Sequence, residues 1–274
     1  MKRRLPGWLV ALTGLGFIFL HLPILVLIVF SFNASRFSVH WTGFTLDWYL
    51  KLLDSPLLLR GLKLSLIIAV AATLLATILG TLLALALARH RVKGRQGLEG
   101  LLILPIVTPE IVVGISLLVF FTFLHYPLGV SSVVIAHVAF SISFVVVVVL
   151  ARLHGMDRSL EEAALNLGAD EVVTFWKVTV PLLLPGIIAA GLLAFTLSFD
   201  DFLITFFVAG VGSSTLPLVV YSMVRLNVSP TVNAISTIIV LASTLTVMLA
   251  DRFTRSRTAL PAGARPKAAA TLPA

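Results

Sequence analysis

The sequence predicts an all-α integral membrane protein that crosses the bilayer six times. Of its 274 residues, 59% are hydrophobic and only 12% are charged. Soluble domains carry about 25% charged residues, so this chain lacks the polar surface to wrap its apolar volume. That composition also excludes intrinsic disorder. A bilayer span needs about 20 mostly apolar residues, and such runs occur at 8–32, 64–88, 101–124, 131–151, 182–207 and 233–250. The third observation is where the positive charge falls. With the N-terminus inside, fifteen of the 20 Lys/Arg lie on the inner side, at the N-terminus, in two connections and in the tail. The positive-inside rule then sets an N-in, C-in orientation. This bias explains the net charge of +8 and the pI of about 10.4, so no nucleic-acid partner is required. No Cys is present, which removes disulfide frameworks, thiolate metal sites and cysteine nucleophiles.

The first run, Trp8–Phe32, follows Lys2, Arg3 and Arg4. It is longer than the 7–15 residues of a cleavable signal core and lacks a small-residue cleavage site, so it reads as a retained helix. The external connection Asn33–Leu62 carries Trp41, Trp48 and Tyr49, which suit an interfacial aromatic belt. The third run contains Pro105 and Pro109, which loosen its helix and free carbonyls. His125–Val130 makes a tight external hairpin to the fourth run. Val145–Val149 has high β-propensity, but between other spans helix is the better reading, because bilayer strands occur only in closed barrels. The tail, 252–274, ends in alanines and prolines without a sustained apolar face and reads as disordered.

The inner connection 152–181 is the unusual one. Glu161 and Glu162 sit where they face the positive start of a short helix, with Asp157 or Ser159 available as a cap. Leu160, Ala163, Ala164 and Leu167 recur at helical spacing, and Gly168 stands where the helix would stop. Acidic residues suit an anionic membrane surface poorly, so the helix fits a protein partner better.

Three acids fall inside spans, Glu110, Asp200 and Asp201, with no Lys or Arg deep in any span to neutralise them. Buried charge of this kind marks a substrate path, here one for a cation. At 1.5 Å per residue along unbroken helices, Glu110 and Asp200 fall at depths about 10 Å apart. His21 and His137, also within spans, read as bonded to backbone carbonyls. The other histidines lack metal-ligand spacing. There is no G-x-x-x-x-G-K-[ST] phosphate loop.

The inner connection resembles a known family. Glu162-Ala163-Ala164, three residues, Gly168, nine residues, Val178, one residue and Val180-Pro181 reproduce the spacing of the EAA loop. That loop marks the permease subunits of binding-protein-dependent ABC importers, with Val here in place of the usual Ile and Leu. The resemblance implies the type I importer-permease fold in a bacterial inner membrane. It implies a coupling helix carrying Glu162, Ala163, Ala164, Gly168 and Glu171, docked on an ATPase subunit. It also implies a second permease chain, two ATP-binding subunits that hold the ATP and Mg, and a periplasmic binding protein. This chain itself would then be non-catalytic and without cofactor.

From Phe44 onward the chain further resembles the second-permease branch of the spermidine/putrescine importers. The matching stretches are Pro109-Glu110-Ile111-Val112, Ser198-Phe199-Asp200-Asp201, Leu216-Pro217-Leu218 with Tyr221-Ser222-Met223-Val224, and Val228-Ser229-Pro230. By that resemblance, polyamine transfer involves Trp48, Glu110, Glu171, Ser198, Asp200 and Asp201. Related branches carry ferric iron or thiamine. A stand-alone secondary transporter would leave the EAA spacing unexplained. An intramembrane enzyme would need a paired Ser/His, Asp/Asp or His/Glu metal constellation in the spans, and Asp200 and Asp201, neighbours on one helix, cannot face each other across a substrate.

Overall fold

The computed structural model describes residues 6–35, 40–90, 93–226 and 230–256. Twelve α-helices and one π-helical turn account for almost all of them. The helices are α1 (Gly7–Phe30), α2 (Asp47–Leu53), α3 (Pro56–Arg89), α4 (Arg95–Val107), α5 (Glu110–Phe123) and α6 (Val130–His154). They continue with α7 (Ser159–Asn166), α8 (Glu171–Thr174), α9 (Val180–Asp200), α10 (Leu203–Val208), α11 (Leu216–Leu226) and α12 (Pro230–Ser256). The π turn, Phe175–Thr179, joins α8 to α9 into one 30-residue apolar rod.

Among the described residues, five helices are long and apolar enough to cross a membrane, and six if the bent pair α4–α5 counts as one span. The expected third span, 101–124, is therefore not one helix. Its halves meet at 114°. The cause is Pro109, whose ring disfavours the helical region for the residue before it. Thr108 is accordingly extended, at φ −74° and ψ 133°. The expected fifth span also departs from an unbroken helix. α9 stops at Asp200, Asp201 is extended, and α10 starts afresh. α3 reaches back to Pro56, where Ser55 caps it, and α12 runs past the expected 250 to Ser256. The expected disordered tail falls mostly on 257–274, and the N-terminal cations on 2–4, both outside the described residues.

α3, α6 and α9 pack on one another and hold the main core, built from Ala76, Ala84, Val145, Val149, Leu183, Ala190 and Ala194. Small residues are what helix packing in lipid demands, because the bilayer supplies little hydrophobic drive between helices and close backbone approach must replace it. Gly80 shows the constraint. A Cβ there would lie 2.7 Å from Val145 Cγ1 and 3.3 Å from the Ile142 carbonyl oxygen. By contrast, α1 has no buried residue and touches α12 alone among the larger contacts.

Gly80→Val should therefore cost about 1–3 kcal/mol through overpacking. A lower thermal midpoint of the detergent-solubilised protein is the expected result; an unchanged one would mean α3 and α6 are not held this close.

Candidate functional site

The two breaks bring the three acids to one place. Glu110 opens α5, where a carboxylate suits the positive helix end. Asp200 closes α9, and Asp201 is the extended residue beyond it. With Thr196, Leu197, Phe202 and Leu203 they line one cavity of about 250 Å³. Counting along unbroken helices put Glu110 and Asp200 at separate depths. That count does not hold, because α5 turns away at Pro109 and presents Glu110 to the end of α9. Asp200 also borders a second cavity of about 510 Å³, whose walls include Phe202, Tyr221, Ser243 and Thr244. The Phe202 and Tyr221 ring centres stand 4.7 Å apart. Among the described residues, no Lys or Arg lines either cavity.

The neighbouring aspartates differ. Asp200 is exposed and accepts from Ser243 Oγ on α12 at 3.1 Å. Asp201 has a side chain only 8% exposed. Its Oδ1 accepts from Ile204 N at 3.3 Å, and its Oδ2 from Thr205 N at 2.8 Å and Thr205 Oγ1 at 2.7 Å. His137 Nε2, on α6, lies 3.2 Å from the same oxygen. The other ring nitrogen of His137 lies 2.7 Å from Ser198 Oγ. His137 is thus bonded to side chains of α9 and α10, and not to a carbonyl as its sequence position suggested. The only sign of this in the sequence is a polar residue in an apolar span.

Trp48 stands elsewhere. It is buried among Leu52, Leu58, Leu216 and Ile235, and its Nε1 donates to the Asn33 carbonyl at 2.7 Å. It is buried in the protein and is not among the residues lining the acidic cavity, whereas Trp41 is exposed. Asn33, fully buried, is the residue the sequence did not mark: it accepts from Thr42 N at 2.9 Å and donates to the His40 carbonyl at 2.7 Å. Together they fasten the connection between α1 and α3.

At the far end of the bundle, α7 is the short helix expected at Glu162–Gly168. Asp157 accepts from Ser159 N at 2.9 Å just before it. Its end is a Schellman closure, with Gly168 N donating to Leu165 O at 3.0 Å and Ala169 N to Ala164 O at 3.1 Å. That closure needs a left-handed residue, and Gly168 has φ +92°. Glu162 and Ala163 are exposed and Ala164 is half-buried. Glu171 starts α8 behind the cap of Asp170 and lines, with Glu161, Leu165 and Trp176, a groove of about 670 Å³. Leu160, Leu165, Leu167 and Trp176 are all exposed, so this face carries unpartnered apolar area.

Glu161 holds the helix down. It pairs with Arg89 at the end of α3 and accepts from Thr179 Oγ1 at 2.6 Å. Burial pushes its carboxyl up, but the bonds from Thr179 and Arg89 and the charges of Arg89 and Arg158 outweigh burial and hold it below the ordinary value. Sequence reading had given Glu161 only a helix-end role, since both its partners are remote in sequence.

The family model for the binding-protein-dependent transport system inner membrane component matches residues 76–258. The chain belongs to that family. It is a permease component of an ABC importer of the bacterial inner membrane. The spermidine/putrescine transport system permease protein PotC of Escherichia coli strain K12 is 42% identical over 240 residues, 88% of this chain and 91% of that one. The putrescine transport system permease protein PotI of the same strain is 40% identical, over 85% of each chain. Among solved structures, a chain of a bacterial ABC transporter involved in import of the acidic polysaccharide alginate covers 89% of this chain and 94% of its own, at TM-score 0.70 and 17% identity. A chain of the inward-facing MetNI methionine transporter covers 77% of this chain and 98% of its own, at TM-score 0.58 and 17% identity. These last two speak for the fold alone.

Glu161→Ala should release α7, at a cost of about 1–3 kcal/mol for the groups left unpaired. Faster amide exchange over 159–180 would show it. Because the folded carboxyl sits below its unfolded value, the contribution is full above the ordinary glutamate range and is lost as pH falls through the folded value. Exchange in the unaltered protein should rise in the same segment on that acidification, and not in the variant.

Proposed function

We propose that this chain is the polyamine-carrying permease subunit of an ATP-driven importer, and that Glu110, Asp200 and Asp201 belong to its pathway. The observation that carries this is the gathering of three carboxylates at one cavity with no basic residue among the described residues of its lining. A metal ion would be served by acids alone. An organic ammonium gains further from the aromatic faces of Phe202 and Tyr221 in the adjoining cavity. The names of the relatives, spermidine/putrescine and putrescine permeases, support the same solute class. Trp48 and Ser198 would act indirectly, by holding the connection before α3 and the end of α9.

Residues 1–251 form the permease domain in this reading, N-in and C-in, with 252–274 as a cytoplasmic tail. α7 is the coupling helix. Glu162, Ala163, Ala164, Gly168 and Glu171 present it to one of two ATP-binding subunits, which hold the ATP and Mg. A second permease subunit completes the pathway, and a periplasmic binding protein delivers the solute. This subunit performs no chemistry of its own.

In the assembled complex reconstituted into liposomes, Asp200→Asn should lower polyamine uptake at least tenfold while assembly and basal ATP hydrolysis persist. Normal uptake by an Asp200→Asn/Glu110→Gln variant would remove these acids from the pathway. Ferric or thiamine uptake by the unaltered complex, in place of polyamine uptake, would reassign the solute.

Gly168→Asp tests the coupling helix separately. No atom lies within 4 Å of a Cβ built at Gly168, and aspartate tolerates the left-handed region better than most residues. The fold should therefore survive while the added carboxylate spoils docking. Hydrolysis should no longer drive uptake; a variant that transports normally would place the docking contact elsewhere.

A further inference from the structure

We infer that His137 is the positioning residue of the acidic cavity, and that Asp201 is a locked carboxylate which sets the place of Asp200 without itself receiving the solute. The inference rests on reading the cavity as a cation pathway and divides the labour within it.

Donor counting gives the first step. A carboxylate only accepts, and Thr205 Oγ1 spends its proton on Asp201 Oδ2 at 2.7 Å. His137 Nε2, which lies 2.9 Å from Thr205 Oγ1 and 3.2 Å from Asp201 Oδ2, must therefore be the donor to this pair. Asp201 thus takes a ring N–H, a hydroxyl and two backbone amides. Three of these donors meet Oδ2, which is fully committed, and Oδ1 takes the Ile204 amide in a side chain only 8% exposed. An ammonium binding at Oδ2 would have to displace these donors and leave a backbone N–H unpaired, which is expensive out of water.

Asp200 differs in each respect. It is exposed, it borders both cavities, and its one bond is to the hydroxyl of Ser243. Glu110 is exposed as well. These two carboxylates keep lone pairs free for a solute amine.

His137 links the two sets. It is 2% exposed and stands on α6, which belongs to the main core. Its two ring nitrogens reach Ser198 on the last turn of α9 and the Asp201–Thr205 pair across the break. The ring thus fixes the end of α9 relative to the start of α10, and with it the position of Asp200 between the two cavities. α10 also packs on α5, the helix that presents Glu110. Loss of the ring should let both free acids drift.

The test is uptake of spermidine by the complete complex in liposomes, read as KM and maximal rate separately. His137→Ala should raise KM about tenfold with the complex assembled and basal ATP hydrolysis kept. Combined with Asp200→Asn, it should add no more than about twofold, because a displaced and an absent carboxylate are equivalent. His137→Gln, whose amide reaches the place of Nε2, should restore KM to within about threefold of the unaltered complex. His137→Asn, whose amide reaches only toward Ser198, should not. Should the alanine variant fail to assemble, the Gln and Asn variants decide, and equal KM values for them overturn the inference. An unchanged KM in His137→Ala, or fully multiplicative effects with Asp200→Asn, also overturns it. An Asp200→Asn variant that transports normally instead defeats the pathway reading, which separates the two failures.

Discussion

Within a bilayer, a broken helix must satisfy its own backbone groups, because no water is at hand to do so. That constraint governs this molecule at two points. At Asp201 the carboxylate takes the amides of Ile204 and Thr205 and so opens α10 directly after α9 closes. At Pro109 the residue that breaks the chain also lacks an N–H, so the new helix α5 starts with one orphan donor fewer. The site exists because of these breaks. Continuous helices would keep Glu110 and Asp200 on separate rods. Broken ones turn both helix ends, each with its acid, toward one cavity.

What the sequence made legible follows from the range of the interactions. Apolar runs, charge bias and the Glu162–Gly168 spacing are local, and α3, α6, α7 and α12 follow from them closely. The break at Thr108 was also local: the restriction that Pro109 places on its predecessor is read from two adjacent residues. The second break was not legible in the same way. Asp201 is held partly by His137, 64 positions away, and nothing in the pattern around either residue names the other. The same holds for Glu161 and Arg89, 72 positions apart. Sequence reading found the acids as candidates and missed the partners that divide them into free and committed groups.

The loop between α6 and α9 illustrates how local and remote forces combine. Its helix is only eight residues, Ser159–Asn166, too short to persist alone in water. A Schellman closure at Gly168 and the turn at Asp157 fix its ends. Glu161 then ties it to α3 through Arg89 and to the π turn through Thr179. Arg158 adds a bond to the Ala88 carbonyl at 3.2 Å. The exposed Leu160, Leu165 and Leu167 are left on the outside. The polar bonds face the bundle and the apolar side chains face away, the reverse of a helix that folds onto its own domain. That inversion suits a helix whose apolar partner is another chain.

The α7 loop and the acidic cavity are joined by one rod. From Glu171 to Asp200 the helix runs 30 residues, about 45 Å at the usual rise. Its start is capped beside α7, and its end carries Asp200 into the acidic cavity. The π turn lies at the loop end of this rod and ends two residues before Pro181, where a missing N–H already weakens the ladder. Thr179, the last residue of the turn, is bonded to Glu161. A displacement of the loop is therefore delivered at the most deformable turn of the rod. At the other end, His137 ties the last turn of α9 to α10 and α6. The rod is thus irregular where it meets the loop and clamped where it meets the cavity. Between its ends α9 packs closely on α3 and α6, so the place of Asp200 is tied to the place of α9 in the core.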